Sequence, residues 1–561
     1  MPEKEICMSE NRKPTYLDKV AEDWVAKLEE LSPETSTYIG NTKYDNKLSD
    51  YSPEGNSAYR EALIDVKQKL IQAPVNDEVD LVTQLDLMSD IQSSIVSIDA
   101  GDWKDDLNVI ASPAQSIREI FDLMPTETEK DWSNINGRLS GVREAIEGYK
   151  ASLREGIRSG STPALRQVEA VISQTRNNSL RDGFFTEFVS TSGDNISEAL
   201  KTELLSNANA AAEAYGSLTT FLTEELAPNA RMTDGIGREA YERASESFVG
   251  MKLDLDETYE WGLEELARMV AEQEACAQEV LSGATVEEAI AYLDTNPAMK
   301  LNSVEELQEW MQTVSDKAVR ELASSQFDIP VELQRLECMI APSNSGGIYY
   351  TGPSDDFTRA GRMWWSVPEG VTEFNTWREL TTVYHEGVPG HHLQIGTAVA
   401  NSGILNLWRR QLAGTSGHAE GWALYAEKLM QELGYLDDPA YRLGMLDGQR
   451  MRAARVVLDI GVHLGKTNPF AKNEIWSADN ALEFFRSHVH MNDEFIKFEV
   501  NRYLGWAGQA PSYKVGQRVW ENLRLSEETR LGSDFDLKKF HSKALGIGGV
   551  RLDTLEKFFQ V

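Results

Sequence analysis

A chain of 561 residues is too long for one simple core, and 41% hydrophobic with 26% charged residues describes a globular protein of two or more subdomains. Its 55 Lys and Arg against 90 Asp and Glu give a net charge of −35, spread along the chain, which argues against nucleic acid or an anionic membrane surface as a partner. No run approaches the ~18 apolar residues of a membrane-spanning helix, and the opening Met1-Pro2-Glu3-Lys4 shows no apolar signal segment.

Cys7, Cys276 and Cys338 are few, odd in number and far apart. They form no metal-ligand spacing and indicate a reducing, cytoplasmic compartment. From about residue 15 to 330 the apolar periodicity is helical. Leu17, Val20, Trp24, Leu28 and Leu31 mark a first helix, and Ser161-Thr162-Pro163 reads as a cap with proline in the first turn. Asp254 or Asp256 caps a helix running to Met269, and Ser303 with Glu306 forms a capping box for another. Turn formers between Pro228 and Gly235 suggest a boundary between a helical region 1–230 and a region 231–561 that holds the histidines.

Between Pro330 and Pro368 the texture changes. Aromatic and β-branched runs, Ile348-Tyr349-Tyr350-Thr351 and Met363-Trp364-Trp365, alternate with Gly, Pro and Asp, including a Ser-Asn-Ser-Gly-Gly turn. They predict a small antiparallel sheet, whose edge is a place for a peptide to add a strand. Tyr349 and Tyr350 would line that edge.

All eight histidines fall between His385 and His541. Three sit in His385-Glu386-Gly387-Val388-Pro389-Gly390-His391-His392, a His-Glu pair followed within two helical turns by more histidine. The usual zinc-peptidase helix places two His at i and i+4 with a Glu base beside the first. Here i+4 is Pro389, and His392 at i+7 would lie ~10 Å along an undistorted helix, far for one ion about 2 Å from each ligand. Pro389 and Gly390 predict a bulge that brings His391 into the i+4 slot, with His392 supporting a ligand or facing substrate. A catalytic zinc needs a third ligand. Glu420, in Gly417-His418-Ala419-Glu420-Gly421-Trp422, is the choice, and Glu427, two turns on, would orient a histidine.

The run His-Glu-x-x-Pro-Gly-His-His, followed by Glu-Gly-Trp-Ala-Leu-Tyr-Ala-Glu, resembles domain-of-unknown-function family 885, in the clan of gluzincin-like metallopeptidases. The resemblance continues through Arg455 to His463 and Gly508 to Gly516, and in the N-terminal part at Tyr259-Glu260-Trp261-Gly262-Leu263. Ala507 departs from the proline usual before Gly-Gln. The resemblance implies a mainly α, neurolysin-like metallopeptidase architecture, with the catalytic cleft between the helical region 1–230 and a catalytic region 231–561, and carboxypeptidase-like or dipeptidase-like relatives. Its pattern keeps the first histidine of the pair more strictly, which favours His391.

The expected chemistry is one Zn²⁺ on His385, His391 and Glu420, with Glu386 as general base. His463 and Tyr513 are candidate donors to a developing oxyanion. Arg455 and Asp459, four apart, read as an ion pair or a substrate contact. Lys514, Arg518 and Arg502 are the cations available for a terminal carboxylate. His488 and His490 read as structural or supporting, and His541 as a surface residue. The function expected is hydrolysis of short peptides. The alternatives are an amidase or esterase acting on a small metabolite, and a metal-binding protein without turnover. A di-iron carboxylate oxidase is excluded, because no Glu-x-x-His occurs in the chain.

Overall fold

Helix dominates because apolar residues recur at three-to-four spacing over long stretches and proline is confined to helix starts and loops. The computed structural model describes residues 12–193, 196–323, 325–341, 347–472 and 474–560, and 22 α-helices lie among them. Cys7 and all but the last glycine of the Ser-Asn-Ser-Gly-Gly turn fall outside the described residues. The mainly α fold with a small sheet beside the histidine motif is as the sequence predicts.

Local chemistry explains most boundaries. Thr15 and Asp18 form a reciprocal cap on helix Tyr16–Leu31, which buries Leu17, Val20 and Trp24. Asp254 caps Leu255–Val280 by accepting from the backbone N–H of Asp256 and Glu257. Ser303 accepts from Glu306 N as expected, but the Glu306 carboxylate reaches back to Asn302 N at 2.7 Å rather than to Ser303. The expected proline-led start at Ser161-Thr162-Pro163 does not form. The helix begins at Leu165, because Pro163 and Leu165 pair with Arg231 through Arg231 N to Pro163 O (3.0 Å) and Leu165 N to Arg231 O (2.8 Å).

Five short strands lie between residues 300 and 375: β1 (Lys300–Leu301), β2 (Leu336–Ile340), β3 (Ile348–Thr351), β4 (Gly361–Trp365) and β5 (Phe374–Asn375). β1 and β5 pair with each other, and the other three form a sheet in the order β2-β4-β3. β3 and β4 are antiparallel, pairing Ile348 with Trp365, as the aromatic runs predict. β2 joins β4 in parallel, because the chain between them is long enough to cross over and return β4 to the middle. There Met363 and Trp365 are buried with Leu336, Cys338 and Val383, the last of these from the motif helix.

Two close helix crossings position the histidine motif. The motif helix, Thr376–Glu386, lies on the long helix Pro439–Leu464, where a Cβ at Gly444 would stand 2.1 Å from the Trp377 carbonyl oxygen. The Glu420 helix, Ser416–Glu432, crosses Ser512–Leu531 through Gly417, Gly421 and Gly516; a Cβ at Gly516 would stand 2.1 Å from Gly417 O. Neither contact has a flexible neighbour to yield. Gly516→Ala is therefore expected to destabilise the protein by about 1–3 kcal/mol through overpacking. A lower midpoint in urea unfolding at unchanged m checks it, and an unchanged midpoint would show that the helices can part without cost.

Candidate metal centre

The motif is not one bulged helix. The helix stops at Glu386, residues 387–390 turn, and a new helix begins at His391 with Gly390 at its cap. Gly390 cannot carry a side chain here, since a Cβ would fall 1.9 Å from the His385 carbonyl oxygen. The break achieves what the expected bulge would have: the rings of His385 and His391 stand 4.9 Å apart and nearly perpendicular. From the facing helix, Glu420 Oε2 lies 3.2 Å from His385 Nε2 and 3.5 Å from His391 Nε2. One ligand atom from each of the three residues lies within 4.8 Å of the other two. Ligands about 2.0–2.1 Å from a tetrahedral ion stand ~3.4 Å apart, so the donor set and its spacing fit a divalent metal such as zinc.

Glu427 holds His385 from behind. Its Oε1 is 2.7 Å from His385 Nδ1, and its Oε2 accepts from Thr381 Oγ1 at 2.8 Å. A carboxylate only accepts, so Nδ1 carries a proton toward Glu427, as behind metal-ligating histidines, and Nε2, on the Glu420 side, is the atom a metal would take. Burial alone would raise the Glu427 carboxyl, but Arg452 and His385 keep it below the ordinary range. His385 is pushed up to about 9, because its contacts with Glu420 and Glu427 outweigh the opposing effect of burial. Glu386 is buried, and its Oε2 has no hydrogen-bond partner. Burial raises its carboxyl against the pull of His391 and His385. An unpaired buried carboxylate beside the histidine pair is chemically poised to exchange a proton.

Tyr513 stands beside the arginines of the long helix and feels the charge of Glu420. Burial followed by the Glu420 charge raises its phenol, and Arg455 and Arg452 stand 5.1 and 5.9 Å from its ring. Arg452 is a residue that sequence reasoning missed. Its guanidinium is 3.9 Å from Glu427 Oε1, and it acts electrostatically on Glu386. The signal was available, because Arg452 and Arg455 sit one turn apart on a single helix face.

Other predicted residues are placed elsewhere. His392 turns away from the pair: its Nε2 donates to Leu333 O and its Nδ1 accepts from Tyr350 OH, both at 2.9 Å. Burial lowers it to about 4, which keeps it neutral. Tyr350 is thereby a half-buried brace, whereas Tyr349 is exposed and stacks on Trp364. His463 stacks on Tyr241 and donates to Tyr503 O at 3.0 Å, contacts that reach none of the motif residues, so it does not serve as the expected oxyanion donor. Arg455 and Asp459 are not paired with each other. Arg455 binds Glu499 at 2.8 Å, and Asp459 accepts from Tyr241 OH at 2.6 Å and Gly508 N at 2.9 Å.

The expected carboxylate receptors are also engaged. Lys514 is buried against Glu265 (2.9 Å), Gln449 (2.5 Å) and Gln517 (2.9 Å). Arg502 binds Glu499 and Gln509, and Arg518 binds Glu257. His488 and His490 make local contacts, with Phe484 O and Asp447 respectively. His541 is not on the surface. It is buried beneath Phe327 and Trp422, with Nε2 2.7 Å from Tyr425 OH. The apolar positions Leu537, Phe540, Ala544 and Leu545 carry the helical period that turns it inward.

Asp459 yields a prediction of its own. Burial pushes its carboxyl up to about 7, above its unfolded value near 3.8, so the native state holds the proton more tightly. That contribution to stability is fully present below the unfolded value and is lost as pH rises through about 7. Asp459→Asn keeps the acceptor for Tyr241 and Gly508 but carries no charge. Its melting temperature is expected to exceed the wild-type value at pH 8 by the equivalent of a few kcal/mol, with the gap closing below about pH 5. An equal gap at both pH values would remove the ionisation argument.

A family model described as a bacterial protein of unknown function (DUF885) matches residues 33–558. Among curated proteins none matches the chain. A crystal structure from Colwellia psychrerythraea, described as a candidate lipoprotein, is 23% identical and superposes with a TM-score of 0.85 over 97% of this chain and 98% of that one. A second candidate lipoprotein of unknown function, from Shewanella oneidensis, is 17% identical with a TM-score of 0.75 over 97% and 100%. Both share the fold. A Pyrococcus furiosus carboxypeptidase, at 12% identity and a TM-score of 0.41 over 98% and 99%, is too distant to bear on activity.

Proposed function

Because the chain belongs to DUF885, a family of bacterial proteins of unknown function, its activity has to be argued from the site itself, and we propose that it is a zinc-dependent hydrolase cleaving the peptide bonds of short peptides, as a carboxypeptidase or dipeptidase. The observation that supports this reading is the convergence of His385 Nε2, His391 Nε2 and Glu420 Oε2 beside the unpaired buried carboxylate of Glu386. A divalent ion held by those three atoms supplies a Lewis acid and brings the pKa of water toward ~7. Glu386 Oε2 takes the proton of the attacking water and returns it to the leaving amine. The Tyr513 hydroxyl donates to the oxygen of the carbonyl under attack as charge develops on it. Glu427 and Thr381 keep the His385 ring fixed throughout.

A peptide is favoured over a small ester or amide by the sheet. β3 is an edge strand in the order β2-β4-β3 and packs beside the motif helix, so an extended peptide can pair with its outer edge next to the centre. No helix among the described residues is long and apolar enough to cross a membrane. Cys276 and Cys338 are buried free thiols, which supports a reducing, cytoplasmic compartment for this reading.

Elemental analysis of the purified protein, with hydrolysis of a peptide panel in parallel, tests the proposal. About one zinc per chain and cleavage are expected. No metal as purified, and none taken up on zinc addition, would overturn it.

A further inference from the structure

We infer that Arg452 is the receptor for the free C-terminal carboxylate of the substrate, which makes the enzyme act from the C-terminal end. The inference rests on the hydrolase reading above and adds a specificity residue to it. A terminal carboxylate entering a partly enclosed site needs a cation that is near the chemistry and not already hydrogen-bonded to another anion. Among the described residues around the centre, the candidates separate by their partners. Arg455 is held by Glu499, Arg502 by Glu499 and Gln509, and Lys514 by Glu265 and two glutamines. Arg518 binds Glu257 and covers Trp261.

Arg452 differs from all of these. Its nearest carboxylate, Glu427 Oε1, is 3.9 Å away, beyond hydrogen-bond distance, and that oxygen already accepts from His385 at 2.7 Å. Its Nε is buried without a partner. Yet Arg452 is partly exposed, at 16% of its side chain, so a ligand can reach it. The guanidinium is packed on two sides: its ring neighbour is Tyr513, and Gly448 leaves the room it fills, since a Cβ there would stand 2.6 Å from Nη1. A planar fork fixed in this way presents paired N–H donors to a carboxylate. Arg452 reaches the centre through Glu427 Oε1, 3.9 Å from its guanidinium and 2.7 Å from His385 Nδ1, a separation that two or three residues of extended chain, at about 3.6 Å each, can span. Tyr513, next to Arg452 and Arg455 and within the field of Glu420, would then lie beside the carbonyl under attack.

The test uses an equimolar library of random tetrapeptides prepared once with free C-terminal carboxylates and once as C-terminal amides. Binding is measured by calorimetry on the zinc-loaded Glu386→Gln protein, and turnover on the wild-type protein. The free-acid library is expected to bind about 10- to 100-fold more tightly than the amide library, the effect of charge-assisted hydrogen bonds to one group. Adding Arg452→Gln brings the ratio of free-acid to amide affinity to about one, whatever happens to the affinities themselves, whereas Arg452→Lys keeps part of the preference. Equal binding of both libraries by the protein retaining Arg452, or binding of neither, overturns the role of Arg452 without reliance on any variant of it. Preferential free-acid binding with no turnover of either library supports Arg452 as a carboxylate receptor while the hydrolase reading falls. Turnover of both libraries at the same rate, with equal binding, leaves the hydrolase and removes the C-terminal receptor.

Discussion

Glu386→Gln is expected to lower kcat by about 10²–10⁴-fold, the range for removal of a general base, with zinc content at the wild-type level. The substitution is close to isosteric, and the altered oxygen has no hydrogen bond to lose. None of the three converging atoms belongs to Glu386, so the metal ligands are untouched. Replacing a buried carboxylate by an amide also removes the cost of burying its charge, so the fold is not expected to weaken. Initial rates together with elemental analysis read both halves of the prediction. Unchanged turnover with zinc in place would mean that another group moves the proton, and the hydrolytic mechanism drawn from this site would be wrong.

The second large effect is on the metal itself. Glu420→Ala removes one of three converging atoms, and the one within 3.5 Å of both histidines. Zinc affinity is expected to fall by more than the ~10- to 100-fold typical of losing a carboxylate that merely orients a ligand. Glu427→Ala supplies that comparison, since it strips the His385 ring of its hydrogen bond but leaves three ligand atoms. Competition with a chromophoric chelator ranks the two. If Glu427→Ala loosened zinc more than Glu420→Ala did, the roles assigned to the two carboxylates would have to be exchanged.

The histidine motif was legible because its spacing admits few solutions. Pro389 closes the i+4 slot, so only His391 or His392 can serve, and the chain resolves this by ending one helix and starting another. What sequence cannot supply is distance along an element. Arg455, Asp459 and His463 share one face of helix Pro439–Leu464 with the overlooked Arg452, so the three looked equally available. Eleven residues of helix is ~16 Å, however, and the same stripe that starts beside Tyr513 ends in the core against Tyr241. Lys514 misled for a related reason. It directly follows Tyr513, and adjacent helical residues point about 100° apart. Tyr513 therefore faces the arginines, while Lys514 faces Glu265. His541 was misplaced by its lysine neighbours, although the apolar period around it pointed inward. The parallel partnership of β2 with β4 depends on a crossover that no local residue pattern encodes.

The strand β3 is four residues long, and its outer edge is left without a partner among the described strands. Unpaired strand edges template whatever extended chain they meet, including another copy of the same protein, and long ones drive self-association. Four residues offer only two outward pairs of backbone groups, enough to register a short guest but too few to nucleate a growing sheet. The length that guards this edge against polymerising also limits any strand that could pair with it to a few residues.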